Sequence, residues 1–316
     1  MRNIADRPCP PLVGPGPRGV AQETLSRAGP VQRRLPAAVL ACALLGAAGC
    51  AGSPPGAADG TAAPRPGRAR AASSAPTAPV PPPTITAKLS PRPRRLSLAG
   101  DVIALDPGHN GGNATHPGII NRLVNVITEQ KACDTTGAET DAGYPEHAFN
   151  FDVATRLARL LRNDGAKVVL TRQTDTGVGP CVTQRAALGN RAHANAAISI
   201  HADGGPASGS GFEVIEPGLV PGFNDKIIGP SRRLGVDIRN EYHAITGEPY
   251  SDYVGVQGLD ARTDLGGLNL STVPKVFIEC ANMRNNGDAA RLTSAAFRQR
   301  AAVALAAGFI AFLRGH

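Results

Sequence analysis

His109 in VIALDPGHN, Glu146 in GYPEHAFNFD and His201 in AAISIHADGG are residue types that ligate zinc. Two imidazoles and one carboxylate leave one position of a tetrahedral zinc free for water, the arrangement of catalytic rather than structural sites. Glu279 in KVFIECANM adds a carboxylate able to act as general base toward such a water. The chemistry these four residues point to is hydrolysis.

The elements that must position them are legible as patterns. Residues 102–105 and 197–200 are short apolar runs, partly β-branched and bounded by turn residues, as strands buried on both faces read. Each delivers a His within four residues of its end. Ligands bind at the carboxyl ends of strands in open α/β sheets, so His109 and His201 can meet there despite their separation. Residues 276–278 repeat the pattern and lead into Glu279 at the end of that run. Glu146 precedes Phe149, Val153, Leu157, Leu160 and Leu161 at helical spacing, closed by Gly165, which puts its carboxylate in a helix's first turn. Residues 167–170 read as a strand, 182–194 and 231–246 as helices, and 289–313 as a helical C-terminus. That last helix offers Leu292, Phe297, Val303, Leu305, Phe309 and Phe312 for burial. Strands alternating with helices over residues 98–316 predict a single α/β domain. Its central sheet is mostly parallel, with helices on both faces and the catalytic site at the C-terminal edge of the strands.

Taken singly, each residue has an ordinary structural explanation. A His after a strand serves as a loop or buried hydrogen-bonding group, and a Glu at a helix start complements the helix dipole. The spacing is irregular, unlike a short H-E-x-x-H motif. What outweighs these readings is that several strand ends carry metal-competent groups and that a charged residue closes an apolar strand. Asp106 either orients a ligand or starts the turn with Pro107 and Gly108, and the turn is the preferred reading. His116, His147, His193 and His243 read as surface or capping residues. Arg262, Asp264 and Asn269 fit either the border of a substrate groove or simple loop structure.

The runs DPGHNG, GYPEH and SIHADGG, with the late strand carrying Glu279, resemble the zinc-dependent amidase_3 family of N-acetylmuramoyl-L-alanine amidases over about residues 98–316. GPCV at 179–182, HADGGPASG at 201–209 and RTDLGGLNL at 262–270 resemble its actinobacterial members in particular. The resemblance implies Zn2+ as cofactor, held by His109, Glu146 and His201, with general base catalysis by Glu279. It implies peptidoglycan or muramyl-peptide fragments as substrate, cut between the lactyl carbonyl of muramic acid and L-alanine. It further implies a disulfide between Cys133 and Cys181, which stabilises by about 3 to 4 kcal/mol in the chain-entropy model. Cys280 and Ala281 depart from the Leu-Gly or similar pair that usually follows the family's catalytic Glu, and Cys280 reads as an inert buried thiol. Two other readings stand beside the amidase. A noncatalytic wall-fragment binder requires loss of one of the four groups, and all four are present; a zinc peptidase acting within the stem peptide differs only in its products.

Composition excludes a nucleic-acid partner. Residues 1–97 hold 13 Lys and Arg against 3 Asp and Glu, a net of +10, leaving 20 against 22 and a net of −2 for residues 98–316. The folded part has no basic excess, and 8 Phe, 4 Tyr and no Trp offer no stacking platform. The leader, residues 1–50, reads as an export signal, with Arg33 and Arg34 before an apolar run from Ala37 to Ala48 that is too short for an ordinary membrane span. AAGC resembles a bacterial lipobox in which Cys50 would be acylated; ordinary cleavage and release is the alternative. Residues 51–97, rich in Pro and Ala, read as a disordered tether. The expected protein is an exported monomer of the cell envelope, lipid-anchored or secreted.

Overall fold

The structure, a computed structural model, describes residues 97–315. The leader with Cys50, the tether up to residue 96 and His316 lie outside the described residues.

Among the described residues, eight strands and seven α-helices, with a 3-10 turn at Asn113–Thr115, follow one another along the chain. They are β1 (Val102–Pro107), α1 (Pro117–Ile120), β2 (Leu123–Asn125), β3 (Gln130–Ala132), α2 (Glu146–Asn163), β4 (Lys167–Leu170), α3 (Val182–Arg191) and β5 (Ala196–Asp203). They continue with β6 (Glu213–Pro217), α4 (Asp225–Thr246), β7 (Leu259–Arg262), α5 (Gly266–Asn269), β8 (Lys275–Asn282), α6 (Asn286–Leu292) and α7 (Ala295–Arg314). The main sheet has the order β4-β1-β5-β8-β6-β7, and β2 and β3 form a separate hairpin. β4, β1, β5 and β8 run parallel, whereas β6 pairs antiparallel with β8 and carries β7 beside it. The sheet is mostly parallel, as the alternation of elements predicts.

Side chains alternate across a strand, and that period divides the molecule. Ile103 and Leu105 of β1, Ile198 and Ile200 of β5, and Val276, Ile278 and Cys280 of β8 join one apolar core with α2, α4 and α7. Phe149, Val153, Leu157 and Leu161 of α2 are fully buried in it, each contributing about 1.5–3 kcal/mol by leaving water. The alternate positions, Asp106, Ser199, His201, Lys275, Phe277 and Glu279, face the other side, toward α3 and the four-residue α5. α7 is long and apolar enough to cross a membrane by length and composition, but it packs along α4 and α2 as a core helix.

Several expectations change. β5 and β8 are eight residues each, so His201 and Glu279 lie within strands rather than at or beyond their ends. The C-terminal helix is two helices, because Ser294 accepts a hydrogen bond from the Phe297 amide and so caps a new start. Val303 is exposed. α4 begins earlier than predicted, with Pro230 inside it, and α3 ends at Arg191. The implied disulfide is present: Cys133 and Cys181 are bonded, their Cα atoms 4.5 Å apart.

Candidate active site

β1 ends in a turn that puts His109 in the left-handed region, at φ 56°. Such a backbone costs about 1–3 kcal/mol in a non-glycine residue and persists only where surrounding contacts hold it. The His109 ring is held too, since its Nδ1 donates to the Thr135 carbonyl at 3.0 Å and lies 3.4 Å from Asp134 Oδ1. Nε2 is thereby left for the Glu146 carboxylate, 3.1 Å from Oε2.

Glu146 is the first residue of α2, and both oxygens of its carboxylate are held by partners. Oε2 accepts from the Ala138 amide at 2.7 Å, and Oε1 accepts from Asn150 Nδ2 at 3.2 Å and lies 2.8 Å from His201 Nδ1. Asn150, one helical turn on, also donates to the Gly108 carbonyl, which ties the helix to the His109 turn. His201 points from β5 into the same space, stacked on Phe277 at 4.1 Å between ring centroids. Two glycines make the room. A Cβ on Gly108 would fall 2.0 Å from the His201 ring, and one on Gly137, at φ 82°, would fall 2.6 Å from the His109 ring.

The ligand atoms of His109, Glu146 and His201 all lie within 4.8 Å of one another. They line a cavity of about 340 Å³ that Glu279 also lines, together with Leu265 to Leu268 from the α5 turn. Electrostatics mark this as a place for a cation. Burial opposes a charge on His109, yet the adjoining Glu146 carboxylate and Asp134 raise its pKa to about 10. Burial likewise works against the Glu146 charge, but His109 and His201 hold it well below the usual carboxylate range. The buried His201 is pushed down. Two neutral-capable imidazoles and an ionised carboxylate converging on one point fit a divalent metal ion. Glu279 is different: burial first, then the nearby charges of Glu146, Asp203 and Glu213, push its carboxyl well above the ordinary range. Its Oε2 is buried without a hydrogen-bond partner. An acceptor left unsatisfied beside a metal-competent cluster is suited to taking a proton from a water bound there.

All four predicted site residues therefore meet in one cavity. Asp106 is not the start of a turn but a buried strand residue accepting from Thr171, Ser199, Arg185 and, at 3.4 Å, Lys275. Burial opposes its charge, but Lys275 and Arg185 keep it far below the ordinary range. Arg262 and Asp264 form a bidentate pair that Lys131 joins from β3, and the buried Asn269 donates to the Val126 carbonyl, so these residues fasten the β2–β3 hairpin to the loop before α5. His147 pairs with Asp175, and Cys280 faces the apolar core, on the side of β8 away from Glu279. Sequence reasoning missed Asp134, Thr135, Arg185 and Lys275. The last two carried a signal, a charge among the small or apolar residues of α3 and β8.

The Amidase_3 family, N-acetylmuramoyl-L-alanine amidase, matches residues 103–311. The N-acetylmuramoyl-L-alanine amidase Rv3717 of Mycobacterium tuberculosis is 40% identical over 217 residues, covering 69% of this chain and 88% of that protein. The crystal structure of the N-acetylmuramyl-L-alanine amidase Ami1 of Mycobacterium smegmatis superposes with a TM-score of 0.65 at 40% identity, over 69% of this chain and 99% of that one. Ami1 of Mycobacterium abscessus, solved in its apo form, gives 0.64 at 38%, over 68% and 100%. This chain belongs to the Amidase_3 family of N-acetylmuramoyl-L-alanine amidases.

Proposed function

We propose that the chain is a zinc-dependent amidase of the cell envelope in which His109, Glu146 and His201 hold the metal and Glu279 is the general base. The observation that carries this reading is the convergence of three ligand atoms within 4.8 Å in a cavity that Glu279 also lines. Bound zinc would supply Lewis-acid polarisation of an amide carbonyl and a water of lowered pKa. Glu279 takes the proton of the attacking water and delivers it to the leaving amine. Burial and the neighbouring carboxylates raise its pKa above the ordinary Glu range, which makes its ionised form a stronger proton acceptor. Asn150 and the Ala138 amide keep the Glu146 carboxylate turned toward the two imidazoles. The apolar wall from Leu265 to Leu268 excludes water from one side of the cavity.

The substrate is the amide between the lactyl group of muramic acid and the L-alanine of a stem peptide, in wall or in released fragments. The leader and Pro/Ala-rich segment of the sequence support export, either anchored through an acylated Cys50 or released, with the catalytic domain working as a monomer. The test incubates the full chain with purified muramyl-peptides, with zinc and after chelation, beside Glu279→Ala, and identifies products by mass spectrometry. The expected result is zinc-dependent release of a peptide with a free L-alanine amine, lost in the variant. Cleavage inside the stem peptide, or tight binding without cleavage, contradicts the reading.

A further inference from the structure

Arg185 stands on the buried face of α3 beside Ala186 and Gly189, and only 3% of it is exposed. A guanidinium has five N–H donors in a rigid fork, and here each finds an acceptor. Nε donates to the Pro180 carbonyl at 2.8 Å. Nη1 donates to the Pro107 carbonyl at 2.7 Å and to Asp106 Oδ1 at 3.1 Å. Nη2 donates to the His109 carbonyl at 3.0 Å and to Asp134 Oδ2 at 3.0 Å. Two of these acceptors are the carbonyls on either side of Gly108, in the turn that carries the left-handed His109. A third is the carboxylate whose other oxygen lies 3.4 Å from His109 Nδ1. That same oxygen accepts from the Thr135 amide, so Asp134 also places the Thr135 carbonyl that receives the His109 ring N–H. One side chain thus reaches His109 by two routes, through its backbone and through its ring.

We propose that Arg185 is a positioning residue for the metal site, holding the strained backbone of His109 and, through Asp134, aiming Nε2 at Glu146; this rests on His109 being a metal ligand. The Cys133–Cys181 bond ties together the two segments that the guanidinium spans. Cys133 directly precedes Asp134, and the Cys181 carbonyl accepts the Arg185 amide at 3.0 Å. Simple packing of α3 against the sheet calls for an apolar side chain, not a fork whose five donors meet two carboxylates and three carbonyls. Lys cannot replace it, because an ammonium offers three donors from one point and leaves part of this set unpaired.

The test measures the zinc dissociation constant of the full chain, wild type and Arg185→Lys, by competition with a chromophoric chelator. The visible spectrum of the cobalt(II)-loaded protein is recorded alongside as a reporter of ligand geometry. Zinc affinity in Arg185→Lys is expected to fall about 10- to 100-fold, the range for losing a group that orients a metal ligand, with an altered cobalt spectrum and unchanged far-ultraviolet circular dichroism. Asp134→Asn, which keeps the size of the side chain, is expected to weaken zinc in the same direction and decides the question if Arg185→Lys does not fold. Wild-type affinity and spectrum in the folded variants, with only a lower Tm, would overturn the positioning role while leaving the metal site standing. Absence of zinc binding by the wild-type chain would instead overturn the reading beneath it.

Discussion

The two faces of one sheet are built on opposite terms. On the face toward α2, α4 and α7, Ile, Leu, Val and Phe side chains are buried to completion. On the face toward α3 and α5, the same strands present Asp106, Ser199, Lys275, His201 and Glu279, and the space they leave is the candidate active-site cavity. The apolar face accounts for stability, because each buried large side chain gains from leaving water. The polar face stores cost: buried charges that depend on mutual pairing, a left-handed His and an unsatisfied carboxylate. Stability is thus concentrated on one side of three shared strands and the proposed chemistry on the other, so changes on each side should separate in experiment.

The largest separation comes from Glu279→Gln, on the polar face. Turnover of muramyl-peptide is expected to fall about 10²- to 10⁴-fold, the span for a general base, while the melting temperature holds or rises as a buried carboxyl is relieved. Retained turnover would remove Glu279 from the chemistry. On the opposite face, Phe297→Ala empties a site in α7 that is 1% exposed. It is expected to cost about 3–5 kcal/mol in denaturant unfolding, with kcat of the folded fraction near wild type. A comparable loss of kcat would mean that the faces are not independent.

Glu213 gives a titration of the polar face. Opposite Glu279 across the β6–β8 pair, it is pushed up from 4.5 to about 8 by burial, with Asp203 and Asp260 adding to it. A carboxyl raised in the folded state contributes stability that is full below about pH 4.5 and is lost as pH rises through about 8. Unfolding free energy is therefore expected to decline by about 3–5 kcal/mol across that window, because each tenfold difference in proton affinity between the folded and unfolded chain is worth about 1.4 kcal/mol. Glu213→Gln should flatten this slope, and an identical slope in the variant would assign the pH dependence elsewhere. The smallest effect is reduction of Cys133–Cys181, which should lower stability by about 2–4 kcal/mol with little change in the apolar core. Retention of near-ultraviolet circular dichroism from the core aromatics would check that separation.

The difference between the faces also explains what could be read from the chain. The apolar face was legible because α2 repeats Phe149, Val153, Leu157 and Leu161 at helical spacing and the central strands are β-branched. His109, Glu146, His201 and Glu279 were legible because each interrupts or borders such a run. The supporting network was not, since Asp134 and Arg185 meet only after two loops and α3 fold over the end of β1, and nothing local marks their pairing. β6 and β7 escaped because β6 follows β5 but pairs antiparallel with the later β8, and β7 joins β6 in parallel only after the long connection through α4, with no short repeat to mark either. The break between α6 and α7 had a local sign in Ser294, hidden by the helical run of alanines on both sides.

The most direct test of a metal centre on the polar face is the zinc content of the purified full chain by elemental analysis, beside His201→Ala. One zinc per wild-type chain, lost in the variant while circular dichroism stays native, is the predicted result. Metal-free wild type after growth and handling in zinc, or full zinc occupancy in a folded His201→Ala protein, would contradict the account.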